Sequence, residues 1–423
     1  MTLPVIGFAG LTHLGLVSGV GTASKGFTVV GYDPDEARVA NIVAGRLPVT
    51  EPELDELAAR HAERLRFSAE VDALSECDIV YVSTDVPTNV SGTSDLSGIS
   101  ALIEQVLPAL RGDAVLVILC QVPPGFTRGI RRESDRLYYQ VETLIFGRAV
   151  ERALNPERFI IGCADPAAPL PDAYGTLLRA FDCPILPMRY ESAELTKIAI
   201  NVCLAASVTV ANTMAEIAER IGADWGEISP ALKLDRRIGQ YAYLTPGLGL
   251  AGGNIERDLA TVLRFSERIG SEASVVAAYL ASSRHARDWA LRVLHREVLA
   301  REDDPVLAVL GLAYKENTGS TKNSPSLALL EHLHQFRVQL HDPVVPAAAA
   351  AHPRAAAAKS GLAAAEGADA LLIMTPWPAF RDIDPAALAR TMRGRVIIDP
   401  YGVLDRMAAR DAGFTYFRMG SNA

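Results

Sequence analysis

The sequence predicts an α/β protein with two Rossmann-like, doubly wound domains joined by a long central helix. Short apolar runs alternate with segments of helical periodicity at both ends of the chain. At the N-terminus, the run 4–9 stops at Gly10 and the run 27–33 ends on Asp33, with a helix-compatible segment between them. This arrangement is typical of a βαβ unit, and its repetition indicates a parallel sheet.

The remaining elements are predicted in chain order. Further N-terminal strands are expected at 78–84, 114–120 and 158–162. Helices are expected at 192–221, where apolar residues recur at helical spacing, and at 254–269 and 271–299. A charged linker at 301–305 precedes strands at 306–312, 337–341, 370–375 and 396–399. The alanine-rich stretches 346–352 and 355–358 are expected to be helical filler. We therefore predict domains at 1–190, 191–300 and 301–423.

Composition excludes several classes of protein. The chain has 423 residues, with 41 basic and 50 acidic side chains and a net charge of −9, which argues against a nucleic-acid partner. No uninterrupted apolar run approaches the roughly 18 residues of a membrane span, so we expect a cytoplasmic protein without a membrane partner. The five cysteines are scattered, with no metal-ligand spacing, and we expect reduced, mostly buried thiols and no metal.

The turn after the first strand carries a cofactor motif. Gly10-Leu-Thr-His-Leu-Gly15 fits G-x-G-x-x-G if Thr12 stands at the second glycine, where the backbone approaches a pyrophosphate. An ordinary strand-to-helix turn is the alternative. Asp33 follows the second strand, where an acid binds a ribose diol and repels a 2′-phosphate, although it could also be a turn residue before Pro34. The combined spacing favours NAD.

From this point the chain resembles the UDP-glucose/GDP-mannose dehydrogenase family nearly from end to end. The matching segments are Gly10 to Gly15, Gly45 to Pro52, Asp85 to Thr88 with Asp95 to Ser97, Gln121 to Gly125, Ala193 to Lys197 with Asn201, Pro246 to Gly249 with Gly252, Gly253 and Asp258, Gly311 to Lys315 with Asn317 and Thr318, Ser324 to Ser326, and Thr375 to Trp377. The resemblance implies an N-terminal NAD-binding domain, a C-terminal nucleotide-binding domain and a homodimer formed through the central helix. It also implies a nucleotide-sugar substrate.

The resemblance assigns the site residues. Glu142, Lys197, Asn201 and Asp258 match the family's catalytic positions, although a Lys and an Asn on a helix could also form a solvated face. Because Lys197 lies in an apolar segment, we expect Glu142 or Asp258 to pair with it in a cleft. The implied cofactor contacts are Gly10, Thr12, His13, Leu14, Gly15, Asp33, Thr84, Thr88, Gln121, Pro123 and Lys322. The implied substrate contacts are Arg237, Tyr241, Tyr243, Gly252, Gly253, Asn254 and Lys315.

The chain departs from the family at the nucleophile. Family members hold the aldehyde on a cysteine in a motif like G-G-x-C-x-x-K-D, whereas the segment from Gly252 to Asp258 is one residue shorter and contains no cysteine. Cys203 or Cys163 could substitute, but both are predicted to be packing residues. Lys322 also stands where the family has an arginine, and a lysine cannot make the same bidentate fork.

Three reactions and one non-enzymatic role remain open. The enzyme could oxidise an alcohol by two electrons, or oxidise it to the acid through a hydrated aldehyde with water at Asp258. It could also oxidise the sugar transiently, with net dehydration or epimerisation, and we favour this hypothesis because it requires no thioester. The substrate would then be a nucleoside or a nucleotide-sugar. A catalytically inactive nucleotide-binding protein is the remaining alternative.

Overall fold

The computed structural model describes residues 3–87, 94–132 and 136–422. The chain divides into two compact units, residues 1–200 and 201–423, which are described separately. The division falls within one long helix, so that its first eleven residues belong to the first unit.

The first unit is built on an eight-stranded sheet. Its strands are β1 (Val5–Ala9), β2 (Thr28–Tyr32), β3 (Leu65–Ser68), β4 (Ile79–Val82), β5 (Val115–Ile118), β6 (Leu137–Gln140), β7 (Phe159–Cys163) and β8 (Ile185–Arg189). Its helices are α1 (His13–Ser24), α2 (Glu36–Val43), α3 (Leu54–Arg60), α4 (Ser97–Val106), α5 (Phe126–Gly129), α6 (Ala149–Leu154), α7 (Asp172–Arg179) and the start of α8 (Tyr190–Ile221).

The strand order of this sheet positions the site. The order is β3-β2-β1-β4-β5-β6-β7-β8, and all pairs are parallel except β6 with β7. Apolar cores lie on both faces, which is why β4 and β5 are continuous apolar runs with every residue buried. Strands β2 and β4 lie on opposite sides of β1, so the strand order reverses there. The carboxyl ends of β1 and β4 therefore form the crevice in which such sheets bind ligands.

The second unit repeats this strand order in a six-stranded parallel sheet. Its strands are β9 (Val306–Leu310), β10 (Arg337–His341), β11 (Ala355–Ala357), β12 (Ala370–Ile373), β13 (Val396–Ile398) and β14 (Thr415–Phe417), in the order β11-β10-β9-β12-β13-β14. Its helices after α8 are α9 (Trp225–Leu234), α10 (Asn254–Ile269), α11 (Ser274–Arg287), α12 (Trp289–Leu294), α13 (Pro325–His332), α14 (Gly361–Ala364), α15 (Pro385–Thr391) and α16 (Arg406–Asp411). The structure thus confirms the prediction of two Rossmann-like sheets and a long central helix.

Two predicted elements were wrong in detail. The helix expected at 271–299 is divided into α11 and α12 because Asp288, with a ψ of 7°, leaves the helical conformation between them, and a π-helical turn follows at 295–299. Residues 355–357, expected to be helical, form the edge strand β11 beside β10. Backbone hydrogen bonds to β10 outweigh the modest helix preference of alanine at this position.

Helix α8 also meets a simple membrane criterion. Among the described residues it is the one helix long and apolar enough to span a bilayer, with a mean hydropathy of 1.6 over 18 residues. A single helix of this kind is weak evidence, because a long core helix passes the same test.

Candidate active site

Two glycines shape the turn between β1 and α1. Gly10 has a φ of 96°, and a Cβ there would stand 2.8 Å from the backbone nitrogen of Thr84. A Cβ on Gly15 would overlap the Gly10 carbonyl oxygen and approach Ser83 Oγ to 2.7 Å. Both positions therefore require glycine, one for backbone conformation and the other for close packing of the helix on the turn.

The residues between these glycines begin α1. Thr12 precedes the helix in extended conformation, and its hydroxyl accepts a hydrogen bond from the Asp85 amide at 2.9 Å. A threonine is therefore accommodated at the second glycine position because its side chain satisfies a backbone donor. His13 and Leu14 are buried in the first turn of the helix, where backbone amides lack intrahelical acceptors. Such a turn fits a dinucleotide pyrophosphate.

Asp33 lies beside this turn, immediately after β2. Its side chain is buried, and Oδ2 accepts a hydrogen bond from the Leu11 amide at 2.7 Å. Oδ1 accepts from the Asp35 amide at 3.0 Å and from Arg38 Nη1 at 2.7 Å. The carboxylate is thus fixed at the carboxyl edge of the sheet, where a ribose would be bound.

The other predicted cofactor residues of this unit follow neighbouring strands. Thr84 comes two residues after β4, and Gln121 and Pro123 follow β5; all three are half-buried. They therefore lie at the same edge of the sheet as Gly10. Thr88 lies outside the described residues.

The structure resolves which acid pairs with Lys197. Lys197 Nζ donates to the Glu142 backbone oxygen at 2.8 Å and lies 3.4 Å from its carboxylate Oε2. The other carboxylate oxygen accepts from the Leu144 amide. Both side chains retain a little exposure, 13% for Lys197 and 19% for Glu142, so they remain accessible to a small molecule.

A second pair lies in the other unit. Asn201 Nδ2 donates to Asp258 Oδ2, and both side chains are buried. Arg257 Nε stands 3.4 Å from the other oxygen of Asp258. Asn201 follows Lys197 by one turn of α8.

The N-terminus of α10 lacks a thiol. Gly252 and Gly253 have φ values of 81° and 90°, and Asn254 is the first residue of the helix and exposed. A Cβ on Gly252 would meet the Tyr314 ring at 2.6 Å, and one on Gly253 would meet Lys322 Cε at 2.7 Å. The loop is therefore packed closely against the segment that carries Lys322.

The cysteines differ in exposure. Cys77, Cys120 and Cys163 are buried, and burial raises the pKa of the Cys77 thiol to about 12. Cys183 is half-buried. The expectation that Cys203 is a packing residue was wrong, because its position on α8 is exposed. Two residues correspond to about 200° around a helix, so Cys203 still points away from the side of α8 that carries Asn201.

Comparison with known proteins identifies the family. Three family models match: the UDP-glucose/GDP-mannose dehydrogenase family NAD binding domain at residues 4–178, its central domain at 191–284 and its UDP binding domain at 308–406. The chain belongs to the UDP-glucose/GDP-mannose dehydrogenase family. It is therefore an enzyme of an NAD-dependent dehydrogenase family, with NAD as its cofactor.

Individual relatives match along almost their whole length. A UDP-glucose 6-dehydrogenase of Pseudomonas aeruginosa is 31% identical, with 99% of this chain and 97% of the relative covered. UDP-glucose 6-dehydrogenase TuaD of Bacillus subtilis is 29% identical, with 99% and 93% covered. The solved UDP-glucose dehydrogenase of Pyrobaculum islandicum is 28% identical, with a TM-score of 0.86 over 100% of this chain and 98% of that one.

The predicted substrate residues of this family member lie in its second unit. Arg237 is exposed and forms a two-point contact with Asp235, and Tyr241 and Tyr243 are exposed, 91% and 57%. Lys315 is half-buried, with Nζ 5.7 Å from the Tyr314 ring centroid. Lys315 and Lys322 fall within the segment matched by the UDP binding domain, which supports a nucleotide-sugar substrate.

Two buried acidic residues of the first unit were not among the predicted site residues. Glu194 is fully buried, and its carboxylate accepts from the amides of Gly125 at 2.6 Å and Thr127 at 2.8 Å. Burial raises its pKa although these donors oppose the change. Glu194 thereby fixes the turn that follows Gln121 and Pro123. The other acid is Glu51, whose carboxylate accepts from three residues, in two segments distant in sequence.

Proposed function

We propose that this family member oxidises the sugar of a nucleotide-sugar or nucleoside transiently, with net dehydration or epimerisation and without a covalent thioester. The observation that carries the proposal is a set of side chains found within the two units. The pairs Lys197–Glu142 and Asn201–Asp258 are present, while an exposed Asn254 begins α10 in a segment that contains no cysteine. Without a thiolate, the acyl intermediate that leads to a carboxylate has no nucleophile.

The residues of the first unit fit NAD. The glycine-shaped turn, the free amides at the start of α1 and the fixed carboxylate of Asp33 form a dinucleotide cradle that side chains on Gly10 or Gly15 would fill. Bound NAD accepts a hydride from an alcohol carbon and can return it to the oxidised substrate.

Glu142 and Lys197 supply the proton transfers in this proposal. Removal of the hydroxyl proton by Glu142 accompanies hydride loss and leaves a carbonyl on the sugar. The adjacent C–H is then acidic, and Glu142 can remove its proton once the carboxyl group has released the hydroxyl proton to solvent. In a dehydration, the β-hydroxyl leaves with a proton as water, and in an epimerisation the proton returns to the opposite face. Lys197 stabilises the anionic oxygen because its ammonium carries a positive charge beside Glu142.

Cofactor stoichiometry tests the proposal. Transient oxidation predicts turnover with catalytic NAD, no accumulation of NADH and incorporation of solvent deuterium next to the oxidised carbon. We expect thiol alkylation to leave the activity largely intact, and Cys203→Ala provides the matched variant. One equivalent of NADH per product would refute transient oxidation and indicate a simple alcohol dehydrogenase. Absence of turnover with any nucleotide-sugar or nucleoside would favour a catalytically inactive binding protein.

A nucleotide-sugar 6-dehydrogenase is the second candidate. It is favoured by the relatives of Pseudomonas aeruginosa and Bacillus subtilis, which are UDP-glucose 6-dehydrogenases. In that case water held at Asp258 would add to the aldehyde in place of a thiolate. Two equivalents of NADH per carboxylate formed would support this reaction.

We also propose that the protein is a homodimer paired through α8. Within the second unit, Val210, Met214, Ile217 and Ile221 are 42–72% exposed and recur at intervals of four, three and four residues. This spacing forms the apolar seam of a helix pair, and a second copy of the same helix matches its length and symmetry. Met214→Glu should give a monomeric mass in light scattering, whereas the control Val43→Glu on α2 should not. A monomeric wild type would refute the pairing.

We also propose that the protein is located in the cytoplasm. It is supported by the reduced thiols and the acidic composition expected for this chain. Cell fractionation that recovers the protein with membranes would contradict it.

A further inference from the structure

Glu51 connects the cofactor turn to the segment that carries Glu142. It lies in the loop between α2 and α3, and its side chain has no exposure to solvent. Its Oε1 is 2.8 Å from His13 Nε2 and accepts from the Gly147 amide at 2.9 Å. Its Oε2 accepts from the Ala149 amide at 3.2 Å. One carboxylate thus holds two parts of the first unit together.

The first of these parts is the start of α1. His13 is the first residue of that helix and lies between Gly10 and Gly15 in the NAD motif. The imidazole is buried, so a change in its position would disturb the packing of the first helical turn. The contact of Glu51 with His13 therefore bears directly on the geometry of the NAD turn.

The second part is the segment that follows Glu142. Gly147 and Ala149 come five and seven residues after Glu142, and Ala149 begins α6. The Phe146 ring stacks on the His13 imidazole, with 4.1 Å between ring centroids and 28° between planes. The two parts therefore share a ring contact as well as the carboxylate.

The charge of Glu51 is well compensated. Burial opposes ionisation, but the hydrogen bonds from His13, Gly147 and Ala149 together lower the pKa of the carboxyl below its usual value. An ionised carboxylate accepts at both oxygens, as these three donors require. A glutamine offers one acceptor oxygen, and its amide hydrogens would face a backbone donor.

We propose that Glu51 is a positioning residue that couples NAD binding to the placement of Glu142. The inference rests on the proposed role of Glu142 in proton transfer. It predicts that ordering of the α1 turn by NAD is transmitted through Glu51 and His13 to residues 143–149.

Hydrogen exchange tests the coupling without any substrate. In the wild type, saturating NAD should slow amide exchange both in a peptide covering 10–20 and in one covering 143–154. Glu51→Gln should keep the first effect at saturating NAD and lose the second. The matched control is Glu56→Gln, an exposed acid on α3, and it should behave like the wild type. If NAD protects 10–20 but leaves 143–154 unchanged in the wild type, the coupling is refuted.

Kinetic measurements distinguish a positioning role of Glu51 from a purely stabilising one. Glu51→Gln should weaken NAD binding about tenfold and lower kcat by a similar factor, as expected when a buried donor loses its acceptor. His13→Phe keeps the ring stack and leaves Glu51 its two amide donors, so it should fold and show a smaller loss of the same kind. Lower thermal stability with unchanged NAD affinity and kcat would refute the positioning role. Full activity of Glu142→Gln would instead refute the proposed function, and the exchange result would stand independently.

Discussion

A pair of glycine-to-alanine substitutions in α1 tests how the NAD turn is built. At Gly15 an added methyl group would overlap the Gly10 carbonyl oxygen and crowd Ser83 Oγ at 2.7 Å. At Gly19, one turn later on the same helix, the nearest atoms are side-chain carbons of Phe8 and Val29 at 3.5 Å, an ordinary contact distance. Gly15→Ala and Gly19→Ala therefore make the same chemical change in two different packing environments.

The two substitutions are expected to change the stability of the fold in opposite directions. Alanine gains up to about 1 kcal/mol over glycine within a helix, so Gly19→Ala should stabilise the fold by about 0.5–1 kcal/mol. At Gly15 the obstacle is backbone, which no rotamer change can move aside. Overpacking costs about 1–3 kcal/mol, and subtraction of the helix gain of about 0.5–1 kcal/mol leaves a net loss of up to about 2.5 kcal/mol. Relief of the overlap requires α1 to shift from Gly10, and NAD affinity should fall at least about tenfold because the phosphate-binding amides move with the helix.

The assay combines chemical denaturation with calorimetric titration of NAD. Gly15→Ala should unfold at lower denaturant with an unchanged slope and bind NAD weakly, while Gly19→Ala should match or exceed the wild type in stability and bind NAD normally. Equal stabilities and equal NAD affinities for the two variants would refute the packing argument. Loss of NAD affinity in both would show that helix flexibility, rather than the contact at Gly10, controls the site.

Three further predictions concern charged groups. Lys197→Ala and Glu142→Gln should each lower kcat by about 10²–10⁴ with the circular dichroism spectrum unchanged, as expected for loss of proton transfer; wild-type turnover in either variant would exclude that role. Because the pKa of Glu51 is lowered in the fold, its contribution to stability is present above pH 4.5 and is lost as the pH falls through the lower native value. The difference in unfolding free energy between the wild type and Glu51→Gln should therefore be larger at pH 7 than at pH 3. Calorimetry should give tighter binding of NAD than of NADP, and the opposite preference would contradict the role of Asp33.

Elements whose periodicity and both ends are marked in the local sequence were predictable. The bounds of α10 agree with the predicted 254–269, because the segment is amphipathic and lies between Gly253 and Gly270, which both have positive φ values. The strands β3, β6, β8, β11 and β14 were not predicted. Four of them are edge strands, of which β3, β8 and β14 are partly buried and β11 is exposed, whereas β6 is a short buried strand inside its sheet. All five gain stability from pairing with a neighbouring strand. Such pairing depends on residues far away in the sequence, which local periodicity does not report.

The same distinction, between local sequence signals and contacts between distant residues, applies to the candidate active site. The family resemblance indicated Lys197 and Asn201 on α8 and left Glu142 or Asp258 as the partner of Lys197. In the structure Lys197 contacts Glu142, and Asp258 accepts a hydrogen bond from Asn201. Glu51 lies in a segment that was recognised as part of the family pattern, yet its donors are 38, 96 and 98 residues away. Its function as a shared acceptor exists only once α1 and α6 are packed together. Sequence patterns therefore indicate candidate site residues, whereas their hydrogen-bond partners depend on the fold.

Asp33 and Asp342 occupy corresponding positions in the two Rossmann-like sheets but differ in their hydrogen bonds. Each follows the second strand of its Rossmann-like sheet and accepts from an amide of the first turn, Leu11 or Leu312. Among the residues that the structure describes, Asp33 has three donors, whereas Asp342 has five, four backbone amides and the Trp377 indole N–H. A carboxylate offers about four acceptor positions. Asp33 therefore retains capacity for a ribose hydroxyl, and Asp342 has none. The same acid at the same place in the fold thus has a free acceptor position in one domain, as the prediction for Asp33 requires, and is fully hydrogen-bonded within the protein in the other.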